Sequence, residues 1–231
     1  MTRQSRARHQ GTYRRGEDSR QRLIEAGLDV FGHYGFEGAS TRLLANKANV
    51  NLSAIPYYFG GKEGLYRAVV EHIAAMIAER QVPLAIRAGS ALENPDLSRT
   101  ELFQLLSEIL DSLAAMIIGS KDADRWARIV IREQMDPSPA FDILYEGVMS
   151  RVHGVCTALV ARLLNQSADD PDTLIRTTTI IGQILVFRAA RGLVFKRSGW
   201  KEFTDERIAM IQAVIREHAR TILLEDRTQQ R

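Results

Sequence analysis

Residues 41–59 read TRLLANKANVNLSAIPYYF, and this stretch decides the fold. Leu43, Leu44 and Ala48 recur at the three- and four-residue spacing of a helix with one buried stripe. The stripe breaks at Asn49-Val50-Asn51. Asparagine is one of the few non-glycine residues that tolerates left-handed backbone angles, so Asn49 can end the first helix. Asn51 suits the N-cap of a second, its side chain accepting from a backbone N–H two or three residues on. Ile55 then points inward while Leu52, Ser53, Pro56 and Tyr57 face out. Helix, short turn, helix with an outward second element is the helix-turn-helix unit.

Pro56 constrains where the second helix begins. A helix capped at Asn51 puts Pro56 at its fifth position, where the ring clashes with the Leu52 carbonyl. Proline also pushes Ile55 away from helical angles. Either the helix keeps its start and kinks, or it starts late, capped by Ser53. In the late start the missing Pro56 N–H would have had no partner anyway. That avoids both costs and is the expectation.

Upstream, Asp18 or Ser19 opens a helix with Leu23, Gly27, Val30, Phe31 and Tyr34 on one face. Gly35 ends it, and Ser40 caps the next. Residues 1–16 carry Arg3, Arg6, Arg8, Arg14 and Arg15 with too few apolar groups for a core, and they read as disordered. They form either an arm on a DNA backbone or minor groove, or a solvated tail. Downstream, Gly60-Gly61 break the second helix. From Lys62 a longer helix runs through Leu65, Val69, Ile73 and Ile77 towards Pro83, a hinge to the rest. The organisation expected is a basic arm (1–16), a helix-turn-helix domain (17–67) and a body (68–231).

The residues around this stretch resemble the DNA-binding domain of the TetR family of bacterial repressors. The matching run is Ile24-Glu25-Ala26, Val30-Phe31, Gly35-Phe36, Ser40-Thr41, Leu44-Ala45, Ala48-Asn49-Val50, Tyr58-Phe59 and Lys62-Glu63-Gly64-Leu65. Two positions depart: the family usually has glycine at Asn49 and an aromatic at Pro56. The resemblance implies a homodimer whose two units enter successive major grooves of a pseudo-palindromic operator, released by a small-molecule effector. It implies phosphate contacts by Thr41, Tyr58 and Lys62, and a base contact by Arg42. The recognition helix would offer Asn51, Leu52, Ser53, Ala54, Pro56 and Tyr57, of which only Asn51, Ser53 and Tyr57 can hydrogen-bond. The stretch from Arg188 through Gly199-Trp200 to the last helix resembles the C-terminal domain of CecR-like regulators.

The body reads as helix throughout, so the fold class expected is all-α. Apolar stripes run from Leu102 to Ile117 and from Ile208 to Ile222. Ser138-Pro139 starts a helix to Leu164, and Asp170-Pro171 starts another to residue 195. Residues 180–187, IIGQILVF, are apolar nearly all round. Such a helix is covered on both sides. It lies either wholly inside one subunit or against a second. For the latter, the expected interface is Ile180, Gln183, Ile184 and Phe187 with Ile211 and Ile215 of the last helix.

Charge is unevenly placed. Residues 1–67 hold 11 Lys and Arg against 6 Asp and Glu, while the remaining residues hold 20 against 22. A basic N-terminal part on a near-neutral body is the footprint of a nucleic-acid-binding domain. No apolar run of 18 residues occurs, so no membrane span is expected. The single cysteine, Cys156, excludes an internal disulfide and fits a reducing cytoplasm.

Chemistry is sparse. The five histidines lie far apart, and no phosphate loop or nucleophile elbow is present, so neither enzyme activity nor a cofactor or metal is expected. Candidates for an effector pocket are Phe103, Trp126, Met135, Phe141, His153 and Phe187, with Arg128 or Arg132 as an anion partner. The rival reading is a helical binding or adaptor protein that no longer reads DNA, for which Pro56 is the best argument.

Overall fold

The computed structural model describes residues 3–119 and 123–224, with side chains from Glu17 onward. Every regular element among them is helical. In chain order they are α1 (Arg3–Gly38), α2 (Thr41–Ala48), α3 (Ala54–Phe59), α4 (Lys62–Ala91), α5 (Arg99–Ala114) and α6 (Ala123–Met135). After these come α7 (Phe141–Leu144), α8 (Ser150–Leu164), α9 (Pro171–Ala189), α10 (Arg191–Ser198) and α11 (Asp205–Leu224). Two single π-helical turns, Ala115–Gly119 and Tyr145–Met149, follow α5 and α7.

The chain divides into two units, Met1–Ala74 with Asp124–Leu144, and Ala75–Ala123 with Tyr145–Arg231. This differs from a simple division near residue 67, because a segment from the middle of the sequence returns to the N-terminal part. In this first unit Leu23, Phe31, Leu44, Ile55 and Leu65 are almost fully buried. The backbone is helical from Arg3, where disorder was expected over 1–16. Arginine, glutamine and alanine are good helix formers, and extending a helix already nucleated by packing needs no core of its own. Helical angles lapse at Gly35 (φ 74°, ψ 177°), the break expected there.

α6 reaches α1 through a close approach that a side chain would forbid. A Cβ on Gly32 would stand 2.3 Å from the Arg125 carbonyl oxygen. Around that point Trp126, Ala127, Ile129 and Val130 are buried. Arg125 binds Asp29 through Nε and Glu25 through Nη2 at 2.9 Å, and Lys47 of α2 pairs with the other Asp29 oxygen at 3.3 Å. The Arg132 guanidinium lies against Gly35 and donates to the Phe31 carbonyl at 3.0 Å.

In the second unit α5, α8, α9 and α11 share a core of Leu106, Ile109, Leu110, Cys156, Leu159, Val160, Ile184 and Ala219. Ser98 and Glu101 form a capping box at the start of α5. Cys156 is the small buried hydrophobe its neighbours suggested, and burial pushes its thiol up to about 12. Arg162 ties down the loop after α4, donating to the carbonyls of Leu92, Asn94 and Pro95 at 3.1, 2.8 and 2.7 Å.

Four expectations are corrected here. Pro83 lies inside α4 instead of ending it, since burial of Ile77, Ala85 and Ala88 outweighs one missing helix bond. The helix expected from Pro139 to Leu164 runs from Phe141 to Leu164 and is not regular throughout: it contains a π-helical turn at Tyr145–Met149, where the chain passes from one unit to the other. The helix expected to reach residue 195 bends by 71° after Ala189. Last, Ile180, Ile184, Ile211 and Ile215 are only 1, 0, 4 and 3% exposed within one protomer, so they are core and not a surface for a second copy. One apolar face of α9 is consumed by its own subunit, and Ile175 and Val186 are exposed on the other.

Against the expectation from uninterrupted apolar runs, Arg99–Gly119 and Phe141–Leu164 are long and apolar enough by length and composition to span a membrane. About half of each is buried inside the fold (50% and 44%), so that apolarity serves the core.

Candidate nucleic-acid interface

The turn between α2 and α3 is built by local chemistry. The Ser40 hydroxyl accepts from Leu43 N at 3.1 Å and starts α2. Asn49 closes it with left-handed angles (φ 53°, ψ 51°). The Asn51 carboxamide oxygen then accepts from Ser53 N at 2.9 Å and Ser53 Oγ at 2.8 Å. α3 begins at Ala54, after a tight turn in which Ala54 N bonds to Asn51 O and Ile55 N to Leu52 O. The late start is therefore present, but Asn51 and not Ser53 supplies the side-chain cap. Tyr57 N donates to Ser53 O, so Pro56 interrupts the ladder at a single point. Gly60 ends α3 with φ 75°.

This geometry sorts the expected contact residues. Ile55 is fully buried and anchors α3. Arg42, Asn51, Leu52, Ser53, Pro56 and Tyr57 are exposed; Thr41, Ala54 and Tyr58 are half-buried. Tyr57 is 81% exposed, an aromatic side chain with little packing role, its ring edge-on to Tyr58 with centroids 4.7 Å apart. The Asn51 oxygen is committed to the turn, which leaves its amide donors for an outside acceptor.

Lys62 already has a partner inside the protein, with two ammonium donors left over. Its ammonium donates to the Phe36 carbonyl at 3.0 Å and stands 4.3 Å from the centroid of the Phe36 ring. It closes the end of α1 onto the start of α4. Beside it, the Tyr66 hydroxyl donates to Glu133 Oε1 at 2.5 Å, and Ser138 donates to the same carboxylate through N at 3.1 Å and Oγ at 2.8 Å. Burial, and then the bond to Glu133, raises the Tyr66 phenol well above its ordinary value. The role of Glu133 was not visible in the sequence; its partner Tyr66 lies 67 residues away.

The effector candidates are not gathered within one unit. Trp126, Arg128, Arg132, Met135 and Phe141 belong to the first; Phe103, His153 and Phe187 belong to the second. Trp126 and Phe103 are core, Met135 is exposed, and Arg132 is engaged with α1. Arg128 lines an open hollow of about 410 Å³ with His33, Leu43 and Lys47. His153 lies 3.2 Å from Thr178 Oγ1 and 3.3 Å from Thr157 Oγ1, and burial lowers its pKa.

An exposed helix-turn-helix on one helical unit, continued by α4 into a second, is the architecture of a DNA-binding transcription regulator. Residues 23–69 match the model of bacterial regulatory proteins of the tetR family, and residues 102–225 match the C-terminal domain of the HTH-type transcriptional dual regulator CecR. The CecR protein of Shigella flexneri is 32% identical over 209 residues, covering 90% of this chain and 93% of its own. The repressor NicS of Pseudomonas putida is 32% identical over 84 residues, 36% of this chain and 38% of its own. Among solved structures, a TetR-like regulator from Rhodococcus sp. RHA1 shares the fold with a TM-score of 0.58 at 16% identity, covering 90% of this chain and 97% of its own. The hemolysin II regulator HlyIIR does so with a TM-score of 0.58 at 17% identity, over 86% and 97%. The chain belongs to the TetR family of bacterial transcriptional regulators.

Proposed function

We propose that this regulator represses transcription in the cytoplasm as a homodimer on a pseudo-palindromic operator, and that a small molecule held in the second unit releases it. The observation that carries the DNA reading is the exposed row Arg42, Asn51, Ser53 and Tyr57 on a domain otherwise closed around Ile55 and Leu44. To Thr41 and Tyr58, half-buried beside it, we assign the phosphate contacts. Pro56 sits in a helix that starts late enough to carry it, which removes the main argument for an adaptor that no longer reads DNA.

For the second copy we assign the outward faces of α9 and α11. Ile175, Val186, Met210 and Val214 are 65, 51, 56 and 46% exposed, and they recur at helical spacing. Gln183 and Phe187 border this face, half-buried, with Gln183 bonded to His218 of α11 at 2.9 Å. Effector response follows from chain connectivity: α4 runs through both units, and α6 belongs to the first while the turns flanking the 124–144 segment belong to the second. A ligand that favours one arrangement of the second unit biases the DNA-binding unit by its differential affinity.

The test is a systematic binding profile on the promoter region beside the gene. Wild type should select a two-fold symmetric site with half-site centres about 34–36 Å apart. Arg42→Ala should relax preference at one base pair per half-site at a cost of about 1–3 kcal/mol. Unchanged preference there would reject the base contact, and absence of sequence-selective binding by wild type would reject the DNA reading.

A further inference from the structure

Among the described residues, Glu133 is the one Asp, Glu, Lys or Arg that is buried. Less buried carboxylates meet arginines: Asp29 meets Arg125 at 2.5 Å and Asp111 meets Arg216 at 2.6 Å, their side chains each 34% exposed. Glu133 lies deeper than either and forms no ion pair among the described residues. It accepts from the Tyr66 hydroxyl and from Ser138 N and Oγ, three donors where a carboxylate can take roughly four. Arg132, its chain neighbour, donates instead to the Phe31 carbonyl, and Lys62 to the Phe36 carbonyl.

Glu133 also lines a hollow of about 350 Å³ whose lining residues all belong to the first unit. That volume is in the range of pockets that hold small molecules. Of the lining residues Tyr66, Glu133 and Ala140 are buried, while Glu63 and Arg67 are exposed. The carboxyl therefore belongs to the floor and the other two charges to the mouth. Phe36 forms a wall, its ring centroid 5.2 Å from that of Tyr66. A carboxyl beside two aromatic rings favours positive charge, by direct attraction and through the ring faces. At the mouth Glu63 offsets Arg67, so Glu133 sets the sign of the hollow. A carboxylate buried without a counter-charge is costly, and a bound cation removes that cost.

We infer that this hollow is a binding site for a small organic cation, with Glu133 pairing its charge and Phe36 and Tyr66 packing on an apolar or aromatic body. An amidinium or ammonium donates to the acceptor position that Tyr66 and Ser138 leave open. An anion would meet Glu133 at the floor, and a neutral amide would leave its charge uncompensated. The site lies in the unit that carries the helix-turn-helix, and it does not depend on the effector reading proposed for the second unit.

The probes are benzamidine, benzamide and benzoate, which share a ring and differ in charge, titrated into the full-length protein by calorimetry. Wild type should bind benzamidine at roughly 1 mM or tighter and melt at a higher temperature in its presence. The other two should bind at least about tenfold more weakly. Glu133→Gln keeps the shape of the side chain and removes its charge. It should weaken benzamidine by roughly ten- to a hundredfold and erase the preference over benzamide. Arg67→Ala, at the exposed mouth, removes a like charge and should tighten benzamidine about threefold while leaving the fold intact. Equal binding of benzamidine and benzamide by wild type overturns the proposal, as does benzoate binding as well as benzamidine. So does a folded Glu133→Gln protein that holds benzamidine with wild-type affinity. If Glu133→Gln does not fold, Arg67→Ala decides: affinity no tighter than wild type places the probe elsewhere and sinks the site.

Discussion

At the scale of single residues, the pair Tyr66 and Glu133 shows what a buried carboxylate demands. Glu133 is 3% exposed and accepts from the Tyr66 hydroxyl and from the Ser138 hydroxyl. Tyr66→Phe removes one donor to a buried carboxyl group and should lower stability at pH 7.5 by about 1–3 kcal/mol, read by urea unfolding. The phenol is raised above its ordinary pKa of 10.0. A group raised in the folded state contributes stability that is fully present below its unfolded value and lost as pH rises through the folded one. Wild type should therefore lose stability above pH 10 more steeply than Tyr66→Phe, and equal slopes would mean that the phenol titrates normally. Residues of this kind separate what a sequence reveals from what it conceals. Ser40, Asn49 and Asn51 were legible because each acts on backbone within three residues of itself. Lys62 was not, because its partner, the Phe36 carbonyl, lies 26 residues back and is brought near by folding.

At the scale of elements, the helix boundaries at Ser40, Asn49, Gly60 and Asp170 were readable, and the misreadings share one cause. Pro83, the turn at Tyr145–Met149 and the bend after Ala189 are irregularities that packing imposes against local preference. The return of α6 to α1 is the largest such case, and its only trace in the sequence is Gly32. Gly32→Leu puts a side chain where the Arg125 carbonyl stands and should force the two helices apart. Overpacking of this order destabilises by about 1–3 kcal/mol. We expect a lower urea midpoint together with weaker operator binding, since the Arg125–Asp29–Lys47 chain links α6 through α1 to α2. Arg125→Ala should reproduce the operator effect with a smaller loss of stability. A Gly32→Leu protein with wild-type operator affinity would show that α6 docking does not set the posture of the helix-turn-helix.

At the scale of the whole molecule, the sequence established that residues 180–187 of α9 are apolar nearly all round but not which face meets which neighbour. A helix covered on two sides gives the same hydrophobic pattern whichever side belongs to its own subunit. Burial separates them: Ile184 is 0% exposed in the protomer, and Val214 on α11 is 46% exposed. The two positions should therefore fail differently when given a charge. Ile184→Asp buries an unpaired carboxylate in the protomer core and should prevent stable folding, seen as loss of cooperative unfolding. Val214→Asp places its charge on the proposed intersubunit face and should leave a folded protomer with full helix content. Sedimentation should then show monomers where wild type sediments as dimers. Operator affinity should fall with it, because the two half-sites are no longer bound by one tethered pair. A Val214→Asp protein that remains dimeric and binds DNA as wild type does would place the interface elsewhere on the second unit.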